Sequence, residues 1–276
     1  MEIRHRAVLI TGAASGIGRA TAHAAAARGA RLVLTDVAAD GLHAVARELG
    51  DAVLHAAPAD VRDADDVDAL AADVHEAHGP VDVVMNVAGI STWGAIERLE
   101  REHWRAQVEV NLMGPIHVLS AFVPPMIEAG RGGHVVNVAS AAALFGLPWH
   151  AAYSASKFGL RGVSEVLRFD LARHGIGVSL VCPGAVRTPL VGSAVIVGVD
   201  RDSPRVRKLI GRFERHAKSP EHVAARILKA VERDTYMVYT SPDIAVGAFF
   251  QRVCPWPYER AMRKLNDYLV SVAASE

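Results

Sequence analysis

Cysteine is scarce in this chain of 276 residues: only Cys182 and Cys254 occur, far apart and outside any CxxC or metal-ligand spacing. That scarcity excludes a disulfide scaffold and points to a reduced, cytoplasmic compartment. Net charge is missing too, since 30 Lys+Arg offset 30 Asp+Glu. No whole-protein field therefore draws the chain to phosphate backbones or anionic membrane, and nucleic acid is not an expected partner. No uninterrupted apolar run approaches the ~18 residues of a bilayer span. Met1 to Arg6 lead into a short apolar strand without a signal-peptide cleavage pattern, so a soluble cytoplasmic protein is expected. Linkers, internal repeats and low-complexity segments are absent as well. What is present is apolar: 51% of residues are hydrophobic against 22% charged, the balance of a globular chain with material for one large core.

Short apolar runs alternate with helical patterns. Strands are expected at Ala7–Ile10, Leu32–Asp36, Ala52–Ala57, Val81–Asn86, His134–Val138, Gly177–Val181 and Tyr236–Tyr239. Helices are expected to about Arg28, over Gly41–Leu49, Arg62–His78, Arg101–Glu128 and Ala151–Arg173, and from Ser219-Pro220-Glu221 onward. Strands rich in Val, Leu and Ile on both faces imply a parallel sheet covered by helices on both sides, an α/β doubly wound fold in three layers. Thr188 to Ala217 shows no clear periodicity, and the segment 188–218 reads as a lid beside the substrate. In the stretch 241–276, Tyr258, Met262, Leu265, Leu269 and Val272 recur at helical spacing, predicting one amphipathic helix. The expected organisation is a nucleotide-binding catalytic domain over 1–240 with a helical extension over 241–276.

Thr11-Gly12-Ala13-Ala14-Ser15-Gly16-Ile17-Gly18 lies between the first strand and first helix, where backbone N–H groups and the helix dipole hold a pyrophosphate. Asp36 ends the second strand, where a carboxylate accepts ribose hydroxyls and repels a 2′-phosphate. Ser15 and Val37 are uncharged, so NAD is favoured over NADP. The blander reading of Asp36 is a cap for the next helix. Asp60-Val61 and Asn86-Val87-Ala88-Gly89 end strands on the same edge, and Asp60 is placed to bond the adenine amino group.

Tyr153 and Lys157 stand at i and i+4 on one helix face. A phenol with a reference pKa of about 10 is a poor base at neutral pH, but a nearby ammonium favours phenolate and makes Tyr153 a proton carrier. Ser140 ends the preceding strand and can bond the oxygen of a reacting carbinol or carbonyl. Asn111, a poor helix former inside the long helix, suggests a held water or a local distortion.

With Pro183-Gly184-x-Val186-x-Thr188 added, these motifs stand in the order and spacing of the short-chain dehydrogenase/reductase family, which the chain resembles over residues 5 to 240. The resemblance implies a Rossmann-like fold and a single catalytic domain. It assigns Tyr153 as acid/base, Ser140 to orient substrate, Lys157 to bind the nicotinamide ribose and lower the Tyr pKa, and Asn111 to hold a relay water. It also implies that Asn86 stabilises the sheet near the cofactor and that Pro183 to Thr188 meet the nicotinamide carboxamide, with Val186 and Thr188 as contacts. Gly12, Ser15, Gly16, Ile17, Gly18, Asp36, Asp60, Val61, Asn86, Ala88 and Gly89 complete the expected NAD track. Val87, where the family often has a second Asn, and Cys182 before the Pro-Gly pair are departures from the pattern.

The thirteen histidines do not show zincin spacing, so no metal is expected. His150, three residues before Tyr153, is better placed to touch substrate than any other histidine, but it reads as a solvated loop side chain. Trp93, Leu144, Phe145, Leu147, Trp149, Leu190 and Val191 are candidates for an apolar pocket, and if half of them line it the substrate is bulky and lipophilic, steroid-like or long-chain. The expected activity is hydride transfer between NAD and a secondary alcohol or ketone. The alternative is a non-catalytic NAD-sensing protein on the same fold, which would tolerate loss of Tyr153 or Lys157. The helices at 101–128 and 151–173 resemble those that pair subunits in this family, so a homodimer or homotetramer is expected.

Overall fold

The alternation of strand and helix runs as the apolar spacing requires. The computed structural model describes residues 1–190, 195–200 and 203–273. β1 (Ala7–Thr11), α1 (Gly16–Ala26), β2 (Arg31–Thr35), α2 (Ala39–Leu49), β3 (Val53–Ala56), α3 (Ala64–His78) and β4 (Val83–Asn86) form the first half. β5 (Thr92–Trp93), α4 (Arg101–Val108), α5 (Gly114–Ala129), β6 (Gly133–Val138), α6 (Ala151–Asp170) and β7 (Ile176–Cys182) follow. The remainder is β8 (Val195–Ile196), α7 (Pro204–His216), α8 (Pro220–Arg233), β9 (Met237–Tyr239), α9 (Pro242–Val253) and α10 (Pro255–Ala273).

The main sheet has seven strands in the order β3-β2-β1-β4-β6-β7-β9, every pair parallel. Period-2 alternation divides its side chains between two cores. Val8, Ile10, Leu32, Leu34, Val83 and Met85 pack with residues of α1, α2 and α8. Leu9, Val33, Val84 and Val135 face the other way, against α3, α5 and α6. These strand residues are all fully buried, and each such aliphatic side chain contributes roughly 1.5–3 kcal/mol by leaving water. Strand order reverses between β1 and β4, and a crevice opens at that point beyond the strand ends.

Two expectations change. The stretch from Thr188 to Ala217 is not wholly irregular: α7 occupies Pro204–His216, and β8 pairs in parallel with β5 as a separate two-stranded sheet. Residues 191–194 and 201–202 of the expected lid lie outside the described residues. The tail holds two helices rather than one, because Pro255 breaks the run and starts α10. α9 is anchored by Ile244, which is buried with Leu144, Leu180 and Cys182, and Tyr258 of α10 donates to the Gly146 carbonyl at 2.7 Å.

Finally, the continuous helical run Arg101–Ala129 is long and apolar enough, by length and composition, to cross a membrane. The polar Asn111 and His117 interrupt its apolar sequence without offsetting it. Val118, Phe122 and Met126 on this run bury themselves in the second core.

Candidate active site

The glycine turn is shaped by close approach. Gly12 and Gly16 adopt positive φ, +66° and +52°, the left-handed region that side chains avoid. A Cβ on Gly18 would collide with the Gly12 carbonyl, and one on Gly12 would fall 2.8 Å from Ala88 Cα across the β1–β4 crevice. Thr11, which the sequence offers only as the first residue of the glycine motif, ties the two strand exits together: its Oγ1 accepts from the backbone N–H groups of Val87 and Ala88 at 3.0 and 3.1 Å.

The crevice has a volume of about 340 Å³. Gly12, Ser15, Gly16, Ile17 and Gly18 line it on one side, Asp36, Asp60 and Val61 on another, and Ala88 and Gly89 at the β4 exit. Ser15 precedes α1 without using its hydroxyl as a cap, so the helix N-terminus stays open to a ligand. Asp36 accepts from Ala14 N–H with one carboxylate oxygen and from Ala38 N–H with the other, both at 2.9 Å. It thus fastens the glycine loop as well as facing the crevice. Asp60 is gripped by the Arg62 guanidinium, which lowers the Asp60 pKa. Arg62 itself lines the crevice and was not weighed from sequence, where only Ser15 and Val37 were considered as cationic positions.

Asn86 is not brought to the crevice. It is 2% exposed and its Nδ2 donates to Asn137 Oδ1 at 2.9 Å, because the parallel register sets these two strand ends side by side. The expected ligand contact is replaced by a bond between strands.

A second cavity of about 190 Å³ continues from the first, sharing Ile17, Val87, Gly89, Ile90, Thr188 and Leu190 with it. Ser140, Tyr153 and Lys157 line it together with Pro183, Gly184 and Val186. Burial pushes the Tyr153 phenol above its ordinary range, opposed by a hydrogen bond with Ser140. Lys157 is 4% exposed, and burial lowers its pKa to about 8. Its Nζ donates to the Val138 carbonyl at 3.0 Å and stands 5.8 Å from the centre of the Tyr153 ring. In the protein alone burial dominates the phenol, and the influence that opposes it comes from Ser140 rather than from Lys157.

Asn111 sits in a π turn, Glu109–Met113, that joins α4 to α5. Its Oδ1 accepts from Ile90 N–H at 2.9 Å and its Nδ2 donates to the Ile90 carbonyl at 3.0 Å. It lies beneath the cavity wall, with Gly89 directly above: a Cβ there would fall 3.0 Å from Asn111 Oδ1 and 3.6 Å from Lys157 Nζ.

His150 is not a solvated loop residue. It lines the second cavity, its ring tilted on Trp93 at 4.6 Å between centroids and edge-on to Tyr153 at 6.2 Å. The apolar pocket is also smaller than expected. Trp93, Leu147 and Leu190 line the cavity, whereas Leu144 belongs to the core and Phe145 packs edge-on against Tyr258. Trp149 is not among the lining residues, and Val191 lies outside the described residues.

The short chain dehydrogenase family model matches residues 6–196. The chain belongs to the short-chain dehydrogenase/reductase family. It is an oxidoreductase that uses a nicotinamide cofactor on a Rossmann-like fold. D-threitol dehydrogenase of Mycolicibacterium smegmatis is 40% identical over 227 residues, 80% of this chain and 83% of that protein. The 1-deoxy-11-beta-hydroxypentalenate dehydrogenase of Streptomyces exfoliatus is 35% identical over 251 residues, 89% of this chain and 86% of that one. A short chain dehydrogenase/reductase from Burkholderia phymatum, solved in complex with NAD, superposes with a TM-score of 0.82 at 30% identity, covering 91% of this chain and 94% of the other.

Proposed function

We propose that this short-chain dehydrogenase transfers hydride between NAD and a secondary alcohol or ketone, with Tyr153 as the proton carrier. The observation that carries the reading is that Ser140, Tyr153 and Lys157 together line a cavity that opens into the β1–β4 crevice.

The residues present fit the cofactor. The glycine turn leaves a cradle that a side chain on Gly12, Gly16 or Gly18 would fill, and the open N-terminus of α1 suits a pyrophosphate. Gly12, Ser15, Gly16, Ile17 and Gly18 would hold the phosphates, Asp36 the adenosine ribose, Asp60 and Val61 the adenine end. Ala88, Gly89, Tyr153, Lys157 and Pro183 to Thr188 would hold the nicotinamide half, with Asn86 acting only through the sheet. NAD is favoured over NADP because the Asp36 carboxylate stands in the crevice next to an uncharged, exposed Val37, and Arg62 is already committed to Asp60. Bound NAD supplies the hydride acceptor.

Tyr153 takes the proton from the carbinol oxygen, or returns it to the carbonyl in the reverse direction. Ser140 bonds the same oxygen and fixes its place. The Lys157 cation favours the phenolate in the state where Tyr153 has lost its proton, and Asn111 sets the position of Ile90 behind the cofactor site. On the substrate side, Trp93, Leu147 and Leu190 offer an apolar wall. That supports a substrate with a lipophilic flank and argues for a compact ring or chain rather than a steroid. The relatives named above act, by their names, on D-threitol and on a hydroxypentalenate, so polarity is not fixed by the family.

Thr188 and Leu190 line the substrate cavity and β8 joins β5 next to Trp93, which supports reading the described part of the segment 188–218 as a cover for the substrate. The remainder of the proposal is a cytoplasmic homodimer or homotetramer, supported by two free cysteines and by Phe158, Val166 and Phe169 exposed along α6.

The test is reduction of NAD+ and of NADP+ with a panel of alicyclic, aliphatic and polyol alcohols. Turnover with NAD+ that exceeds the NADP+ rate on a secondary alcohol is expected. Activity confined to NADP+, or none with any alcohol or the matching ketones, overturns the proposal.

A further inference from the structure

His150 is held in place from three sides. Trp149 before it has φ +66°, a strained conformation for a bulky residue that persists only where its surroundings fix it. The Trp149 carbonyl accepts from Gly94 N–H at 2.8 Å, the His150 ring lies tilted on Trp93, and His150 Nδ1 lies 2.7 Å from the Pro148 carbonyl oxygen. Trp93 is fixed in turn by its indole N–H, which donates to Ser91 Oγ at 2.7 Å. Ser91, Trp93 and His150 all line the cavity that holds Ser140 and Tyr153.

This arrangement settles which ring nitrogen is available. A carbonyl only accepts, so His150 Nδ1 carries the hydrogen, and in the neutral ring Nε2 is a bare acceptor. Burial lowers the His150 pKa and so favours the neutral ring. Among the described residues, Nε2 has no protein partner. A cavity of this size with a fixed acceptor opposite the acid/base pair is built to receive a donor from the ligand, because an unpaired acceptor in a closed complex is costly.

We propose that His150 Nε2 accepts a hydrogen bond from a second hydroxyl of the substrate, so that the carbinol handled by Tyr153 belongs to a vicinal diol, and the corresponding ketone is an α-hydroxyketone. The inference rests on the reading of Tyr153 as the proton carrier for a secondary alcohol. His150 and Tyr153 line the same cavity of about 190 Å³ as neighbours, their ring centres 6.2 Å apart, so one small substrate there meets both. The apolar wall of Trp93, Leu147 and Leu190 takes the hydrocarbon side of such a molecule. His150 is a specificity-determining residue in this reading, and the proton transfer remains with Tyr153.

The experiment compares trans-cyclohexane-1,2-diol with cyclohexanol in the wild-type protein and in His150→Phe and His150→Gln. Phe keeps a ring against Trp93 and removes the acceptor; Gln removes the ring and supplies an amide oxygen. The wild-type protein should show kcat/KM for the diol at least about tenfold above that for the alcohol, since a site built around a substrate hydroxyl rejects the analogue that lacks it. His150→Phe should bring that ratio close to one, mostly through KM, and His150→Gln should restore part of it. A wild-type ratio near one, or a His150→Phe variant that loses activity on both substrates in equal proportion, overturns the proposal. Binding of the two compounds to the NADH-loaded proteins, measured by calorimetry, separates this inference from the reaction itself. A diol preference erased by His150→Phe supports the second-hydroxyl site even if neither compound is oxidised, in which case only the redox reading fails. Equal binding of both compounds overturns the site.

Discussion

Lys157 lies one helical turn beyond Tyr153, with its Nζ 5.8 Å from the centre of the phenol ring and 3.0 Å from the Val138 carbonyl oxygen. The two side chains share a helix face but not a direct hydrogen bond, which separates their tasks. Tyr153 meets Ser140 and the substrate space, while the ammonium is anchored to the end of β6. Tyr153→Phe should therefore lower kcat by roughly 10²–10⁴, the usual size of a positioned acid/base contribution, with NADH affinity changed by less than about twofold. Lys157→Ala should damage both turnover and NADH binding. Steady-state rates and NADH fluorescence titration check this, and a Tyr153→Phe enzyme retaining more than about a tenth of the wild-type rate would falsify the assigned role.

Asp36 joins a structural bond to a selective one. Its two carboxylate oxygens hold Ala14 and Ala38 N–H while the group faces the crevice where the adenosine ribose would lie. Asp36→Ala should weaken NADH binding and narrow the gap to NADPH, because the repulsion of a 2′-phosphate is removed. It should also lower thermal stability, by up to about 1–3 kcal/mol through the part-buried Ala14 N–H left without a partner, whereas the exposed Ala38 N–H turns to water. Parallel titrations with both cofactors and a melting curve check the two effects. An undiminished preference for NADH in Asp36→Ala would remove Asp36 as its origin.

Asn111 holds both backbone polar groups of Ile90, and Ile90 lines both cavities. Asn111→Leu keeps the volume and leaves the Ile90 N–H and C=O without that partner, at about 1–3 kcal/mol per group, or roughly 2–4 °C of Tm for each kcal/mol in a chain of this size. Activity should fall together with Tm. An unchanged Tm with activity lost would move Asn111 from a positioning role to a direct part in proton transfer.

The doubly wound sheet was legible in the sequence because its inner strands, such as β1, β4 and β7, are short runs rich in Val, Leu and Ile with both faces covered, so hydrophobicity marks them. The glycine turn and the Tyr153/Lys157 pair were legible because local spacing encodes them. β5 and β8, by contrast, are two residues each and pair across a long sequence separation, which leaves no periodic trace. α7 reads as irregular because its stretch is crowded with charge, from Arg205 and Arg207 to Lys208. The place of His150 depends on the left-handed turn at Trp149 and on Trp93, two features remote from any local pattern. Asn86 was expected both on the NAD track and as a brace of the sheet, and the neighbour that makes it a brace, Asn137, becomes visible only in the register between β4 and β6.

His134 is 2% exposed, and burial lowers its pKa from the ordinary 6.5 to about 4, with Asp234 pulling it partly back. In the unfolded chain the imidazole binds its proton near pH 6.5, whereas the folded protein resists protonation until about pH 4. The unfolded state therefore holds more protons between these values, and stability rises with pH across that window. Full stability is present above pH 6.5; it declines as pH falls and the loss is complete near pH 4, with a span of about 3 kcal/mol. His134→Gln should flatten this part of a Tm-against-pH curve. The amide can still bond Ser179, which lies 2.8 Å from Nε2. An unchanged slope in the variant would place the acid sensitivity elsewhere.

Phe158, Val166 and Phe169 are 41%, 59% and 64% exposed along α6, a concentration of apolar surface on the helix that also carries Tyr153 and Lys157. Spacings of eight and then three residues return to nearly the same helix face, and an apolar stripe on such a helix marks a protein contact. A second copy is the occupant that a homo-oligomer supplies, and its cover would bury these side chains and steady the helix that holds the proton carrier. Val166→Glu with Phe169→Glu places two charges in that contact and should shift the protein to monomer at micromolar concentration, as read by light scattering. The same variant should lose Tm and activity together, with both recovering at higher protein concentration if assembly is weakened rather than abolished. A wild-type protein that already scatters as a monomer, or a double variant whose mass is unchanged, would remove α6 as the subunit contact.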